Sequence, residues 1–170
     1  HAQERRILLH KSTFDVGEVL DSVIERYGGE RDFHVHRASP TAMVHADRSY
    51  TARVIDNIVA NAVKYSDQPI HVYVLDHPQE VKVSVVDRGI GISREELPHI
   101  FEEFWRSERA TWKRGGSGVG LFIVKTIMEA HGGRIEVESQ AGKGTTVSLV
   151  FPRALSAFPS STAQAAMPGL

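Results

Sequence analysis

Two asparagines stand four residues apart in residues 57–66, "NIVANAVKYS", with Lys64 and Tyr65 close behind. Asparagine is a poor helix-interior residue, because its amide competes for backbone hydrogen bonds. An amide oxygen is, however, a hard ligand of the kind magnesium accepts while keeping several waters. An ammonium can neutralise phosphate charge that develops during transfer. A second candidate is Asp87, which opens "DRGIGI", residues 87–92. A carboxylate at a strand end can accept from an exocyclic amino group such as that of adenine. Gly89 and Gly91 would let the backbone turn and approach a ligand. The third is "GGSGVGL", residues 115–121, opening a helix. Glycine amides at a helix start point outward and attract phosphate. Together these supply a nucleotide pocket: a carboxylate for the base, glycines for phosphates, an amide oxygen for magnesium.

Each piece also has an ordinary structural reading. The asparagines fit a polar helix shoulder, Asp87 a tight turn after a strand, and the glycines a hinge. The glycine run is not the dinucleotide fingerprint, since Leu121 stands where its third glycine would be. "GKGT" at 142–145 lacks the upstream glycine of a P-loop. "DRGIGI" has too few alternating oxygen ligands for a calcium loop.

The elements that must carry these residues follow from periodicity. Residues 47–65 have helical spacing. Ile55, Ile58, Val59 and Ala62 form one stripe, expected to pack on a sheet. Asn57, Asn61, Lys64 and Tyr65 form the stripe beside it, where a pocket between helix and sheet would open, with Arg53, Asp56 and Val63 further round. An earlier helix starts after Asp15 and stops at Gly28-Gly29. "FHVHRAS" and "AMVHAD" are short strand candidates around a Ser-Pro turn. "IHVYVLDHPQEVKVSVVDRG" reads as two strands joined by a turn, and "RIEVES" with "TTVSLVFP" as a final hairpin. Residues 92–117 are charged and irregular, with one short helical stretch. They predict a mobile lid over about 93–117. "SGVGLFIVKTIMEAHGG" predicts a helix ended by Gly132-Gly133. The fold class expected is α+β: a two-layer sandwich, with helices on one face of a mixed, mainly antiparallel sheet. Residues 1–13 read as the end of a preceding helix or linker, 14–152 as the domain, and 153–170 as a disordered tail.

Composition narrows the partners. Lys+Arg number 20 and Asp+Glu 21, so bulk charge argues for neither nucleic acid nor direct membrane contact. The absence of cysteine removes disulfides, thiolate zinc sites and thiol nucleophiles. It fits a reducing compartment, and the cytoplasm is the expected location. The opening "HAQERR" lacks Met and predicts that the chain is a piece of a longer protein.

Taken in order, the motifs resemble the catalytic and ATP-binding domain of bacterial sensor histidine kinases, in the GHKL superfamily. The resemblance covers roughly Phe14 to Pro152. It rests on the N box "NIVANAVKYS", the first glycine box "DRGIGI", the F box "IFEEFWR" at 100–106, the second glycine box "GSGVGL" and a terminal "GKGT". It implies that Asn61 ligates magnesium, that Asn57 and Lys64 sit by the phosphates of ATP, and that Tyr65 lines the cleft. It implies that Asp87 reads the adenine amino group, with Gly89, Gly91 and Ile92 shaping that wall and Thr145 closing the adenine end. Gly116, Ser117, Gly118, Val119, Gly120 and Leu121 would hinge the lid and meet the phosphates. Arg106, after the aromatics Phe101 and Phe104, would reach a phosphate on lid closure. Trp105 replaces the commoner Tyr or Phe there. Arg109, Lys113 and Arg114 also fall in the lid and read more simply as a solvated loop.

One departure concerns the acceptor. In the family, a histidine on a dimerisation hairpin takes the phosphoryl group, and none of the nine histidines here has that context. His131 sits at a helix C-terminus, where a positive charge would suit the dipole. The implied partners are therefore the hairpin of the parent protein and a downstream response regulator. Two alternatives stand beside the kinase: a GHKL ATPase of the gyrase kind, and a nucleotide-binding scaffold without chemistry. The related hydrolases carry a glutamate base where Asn57 stands, and a neutral amide takes no proton at pH 7. That disfavours hydrolysis. The intact boxes disfavour the scaffold.

Overall fold

The computed structural model describes residues 6–107 and 120–155. Strand β1 (Lys11–Asp15) leads into helix α1 (Val16–Tyr27). Strands β2 (Phe33–Arg37) and β3 (Met43–Asp47) precede the long helix α2 (Arg48–Tyr65). Strands β4 (Ile70–Asp76) and β5 (Glu80–Asp87) follow, then a 3-10 turn at Leu97–His99. Helix α3 (Gly120–Ala130) and strands β6 (Arg134–Gln140) and β7 (Gly144–Pro152) complete the domain.

Five strands form one sheet in the order β2-β4-β5-β7-β6. All its neighbouring pairs are antiparallel except β2–β4. A parallel pair needs a long crossover, and α2 provides it. The period-2 patterns turn Val72 and Val74, Val83 and Val85, and Leu149 and Phe151 inward, all buried. Against them lie Val54, Ile55, Ile58 and Val59 of α2 and Val124, Ile127 and Met128 of α3. The expected α+β sandwich is therefore observed.

Asp15 and Asp47 start their helices in the same way. Each has extended backbone, and its side chain accepts an amide hydrogen from the first turn: Gly17 for Asp15, Tyr50 for Asp47. Val63, read from the sequence as lying outside the α2 core stripe, is buried. Helix α1 packs along that flank. Tyr27 Oη donates to Asp56 Oδ1 at 2.8 Å and Arg26 reaches the same oxygen at 3.1 Å.

One sequence reading needs correction. Residues 6–10 carry no helix and residues 11–15 form a strand, so no part of the expected leading helix is found among the described residues. Only Phe14 of β1 is buried, so this strand, which pairs with β3, has no apolar alternation to betray it. Strands β2 and β3 do not pair with each other. The first joins the large sheet and the second the ribbon. No helix among the described residues is long and apolar enough to cross a membrane.

Candidate functional site

A cleft of about 360 Å³ opens between the C-terminal half of α2 and the sheet. It brings together Asn61, Lys64 and Tyr65 from α2, Asp87 from the end of β5, and Gly91 and Ile92 from the following loop. Thr145 of β7, Arg106 after the 3-10 turn, and Gly120 and Leu121 at the start of α3 close it. Asn57, one turn before Asn61, is half-buried and is not among the residues lining the cleft, and neither is Gly89. Gly116, Ser117, Gly118 and Val119 lie outside the described residues, as do Arg109, Lys113 and Arg114 and the second half of the expected lid.

The cleft lining is chemically mixed. Ile58, Val85, Ile90, Ile100, Trp105 and Val147 supply apolar walls, the usual lining of a slot for a flat ring. Sequence reading assigned Ile58 to the core alone. Its place beside the polar stripe of α2 was the available signal. Lys64 Nζ lies 5.1 Å from the centre of the Tyr65 ring, a cation–π distance. Phe101 lies beneath Lys125, whose ammonium is 5.3 Å from its ring centre. Phe104 is exposed and has a φ of 64°, a left-handed conformation that bulky side chains rarely adopt.

Asp87 lines the cleft from the end of β5. Its Oδ1 accepts from the Gly89 amide at 2.8 Å. Burial pushes its carboxyl above the ordinary range, while the Gly89 and Thr145 amides act in the opposite direction. The loop glycines serve packing between backbones more than ligand approach. A Cβ at Gly89 would stand 2.1 Å from the Tyr65 carbonyl oxygen, and one at Gly91 2.0 Å from that of Gln140. Ile90 N donates to Tyr65 O at 3.2 Å and Gly142 N to Ile90 O at 2.7 Å. The loop is thus pinned between the end of α2 and the β6–β7 turn, which fixes Asp87 between them. Ser139 on β6, which sequence reading passed over, accepts from Ile92 N and contacts Gly144 O and Thr145 Oγ1, each at 2.8 Å.

The far ends of the two cleft helices meet at one residue. Asp47 N donates to His131 Nε2 at 3.0 Å, and His131 Nδ1 lies 2.8 Å from the Ile127 carbonyl. A carbonyl needs a donor and an amide needs a lone pair, so His131 is neutral with its proton on Nδ1. This corrects the expectation of a charged histidine serving the helix dipole. Burial opposes the charge on Asp47, but the His10, Tyr50 and Ser49 amides outweigh it and hold the carboxylate below its usual range.

His34, His36 and His71 stack with Tyr73 on the sheet face away from the helices. Among the described residues, no three His, Cys, Asp or Glu side chains are grouped to hold a metal ion.

The profile of the family described as histidine kinase-, DNA gyrase B-, and HSP90-like ATPase matches residues 46–155, which include every cleft residue named above. The chain belongs to this family. It is 38% identical over 142 residues to the sensor histidine kinase WalK of Bacillus subtilis (strain 168), covering 78% of this chain and 23% of WalK. It is 35% identical over 148 residues to the sensor histidine kinase YkoH of the same strain, covering 86% of this chain and 32% of YkoH. The chain therefore spans less than a third of the length of these relatives. Its fold is similar to a solved mycobacterial sensor histidine kinase, MprB, at 29% identity and a TM-score of 0.74, covering 85% of this chain and 98% of that one. It is also similar to full-length ShkA in complex with AMPPNP, at 25% identity and a TM-score of 0.79, covering 91% of this chain and 33% of that one.

Proposed function

We propose that this chain is the catalytic domain of a sensor histidine kinase, binding ATP with magnesium and passing the γ-phosphoryl group to a histidine on the dimerisation hairpin of its parent protein. A response regulator takes the group onward, and the domain works in the cytoplasm. The observation that carries this reading is one cleft whose lining combines apolar side chains and Asp87 with Asn61, Lys64 and the start of α3.

Each residue has a task. Asp87 accepts from the 6-amino group of adenine, and the apolar walls exclude water from the ring. Lys64 and Arg106 supply positive charge to the phosphates. Their amino and guanidinium groups do this without proton exchange, which suits a loose phosphoryl transition state. Asn61 fits magnesium: its amide oxygen is a hard, neutral ligand, and magnesium needs few protein ligands because it keeps its waters. When bound, the ion neutralises phosphate charge. Asn57 has no lone pair basic enough to take a proton from water. An imidazole nucleophile needs less help, so the kinase is favoured over an ATPase of the same family.

The test is transfer in trans. This chain, mixed with the hairpin of its parent and labelled ATP, should label a histidine there. The label should be lost in acid and kept in base, as for a phosphoramidate. Transfer should be slow, because the tether that raises effective concentration is missing. Brisk ATP hydrolysis by the chain alone, or acid-stable label on serine, contradicts the proposal. Asn61→Ala should make ATP binding insensitive to magnesium, whereas Asn61→Asp should keep the dependence. Equal dependence in both variants would remove Asn61 from the metal.

A further inference from the structure

Behind the floor of the cleft, Ser139 Oγ makes three contacts of 2.8 Å. A hydroxyl has one proton and two lone pairs. The Gly144 carbonyl has no proton to give, so it takes that of Ser139. The Ile92 amide donates into one lone pair. The Thr145 contact must then use the other, with Thr145 Oγ1 as donor. Ser139 is saturated, and the Thr145 hydroxyl proton points away from the cleft that Thr145 lines. What Thr145 presents to a ligand is lone pairs alone. Asp87, its partner across the β5–β7 register, also presents an acceptor.

We propose that Ser139 is a specificity-determining positioning residue, which holds the Thr145 hydroxyl as an acceptor so that the base pocket selects a purine with a 6-amino group over one with a 6-oxo group. The inference rests on the nucleotide reading of the cleft and deepens it. Two acceptors side by side suit an amino group, which has two hydrogens to donate. A 6-oxo group has none and meets lone pairs on both sides. If the hydroxyl of Thr145 could rotate, it would donate to the oxo group and the distinction would weaken. Ser139 touches no ligand and acts through Thr145, so a merely structural role would weaken all nucleotides alike.

The experiment is calorimetric titration of this chain with ATP and with inosine triphosphate, both with magnesium, read as the ratio of the two affinities. The native ratio should favour ATP. Ser139→Ala should lower it about 3- to 10-fold, the range of one neutral hydrogen bond. Thr145→Val should lower it similarly, and adding Ser139→Ala to Thr145→Val should change it no further. Ser139→Thr, which keeps a hydroxyl, should retain the native ratio. An unchanged ratio in Ser139→Ala, with both affinities reduced alike, overturns the proposal. So does an unchanged ratio in Thr145→Val, an arm that decides even if Ser139→Ala does not fold. A native chain that binds neither nucleotide overturns the nucleotide reading itself. Tight ATP binding with unaltered ratios overturns the role of Ser139 alone.

Discussion

Burial raises the Asp87 carboxyl, and the Gly89 and Thr145 amides only partly offset it. The native state therefore holds its proton to a higher pH than the unfolded chain, and stability falls as pH rises from about 4 through the folded value. Ionising this buried carboxylate thus costs stability, which an amino group donating to it would offset. The glycines beside it were legible as a special loop, but the reason for them was not. Sequence suggested room for a ligand, whereas at Gly89 and Gly91 the room is taken by the Tyr65 and Gln140 carbonyls. Such contacts between distant segments leave no trace in local spacing. Gly89→Ala should therefore destabilise the fold by roughly 1–3 kcal/mol or more through overpacking, seen as a lower urea midpoint with an unchanged slope. A midpoint equal to that of the native chain would contradict the packing assigned to this loop.

Helices α2 and α3 are held at one end by Asp47 and His131 and open at the other around the cleft. Asp47 caps α2, receives His10 N at 2.8 Å, and gives its own amide to His131. Asp47→Ala should cost about 2 kcal/mol, the upper range for an N-cap, because further amides also lose their acceptor. The native pKa of Asp47 is depressed, so its contribution is present above the ordinary carboxylate value and is lost as pH falls through the folded one. Denaturation at pH 7 and pH 3 should show a gap between variant and native chain that narrows in acid, and a gap of equal size at both would contradict the assignment. Both helices and both hairpins of the large sheet were readable, since caps and alternation are local. The β1–β3 ribbon and the parallel β2–β4 pairing were not, because they depend on what lies across the sheet.

Over the whole molecule, one sheet face is covered by helices and the other carries His34, His36, His71 and Tyr73 in a stack. The His71 pKa is lowered, first by desolvation among these rings and then by His34, His36 and Arg88. Between that lowered value and about 6.5 the unfolded chain binds the proton and the native one does not, so stability rises with pH there and is lost on acidification. His71→Gln should flatten this part of the stability profile, and a profile of the same slope would exclude the stack as its source. Asn61, Lys64 and Tyr65 of α2, the strand-end aspartate and the later Thr145 converge on one cleft although 84 residues separate Asn61 from Thr145. The central claim is that this cleft reads an adenine nucleotide through Asp87. Calorimetry of magnesium ADP with the native chain and with Asp87→Asn tests it most directly. The account predicts micromolar-class binding to the native chain. The variant should bind roughly 10-fold or more weakly, because an acceptor for the amino group is replaced in part by a donor, and should melt no lower than the native chain, because a buried charge is gone. Equal ADP affinity in the two proteins would contradict it.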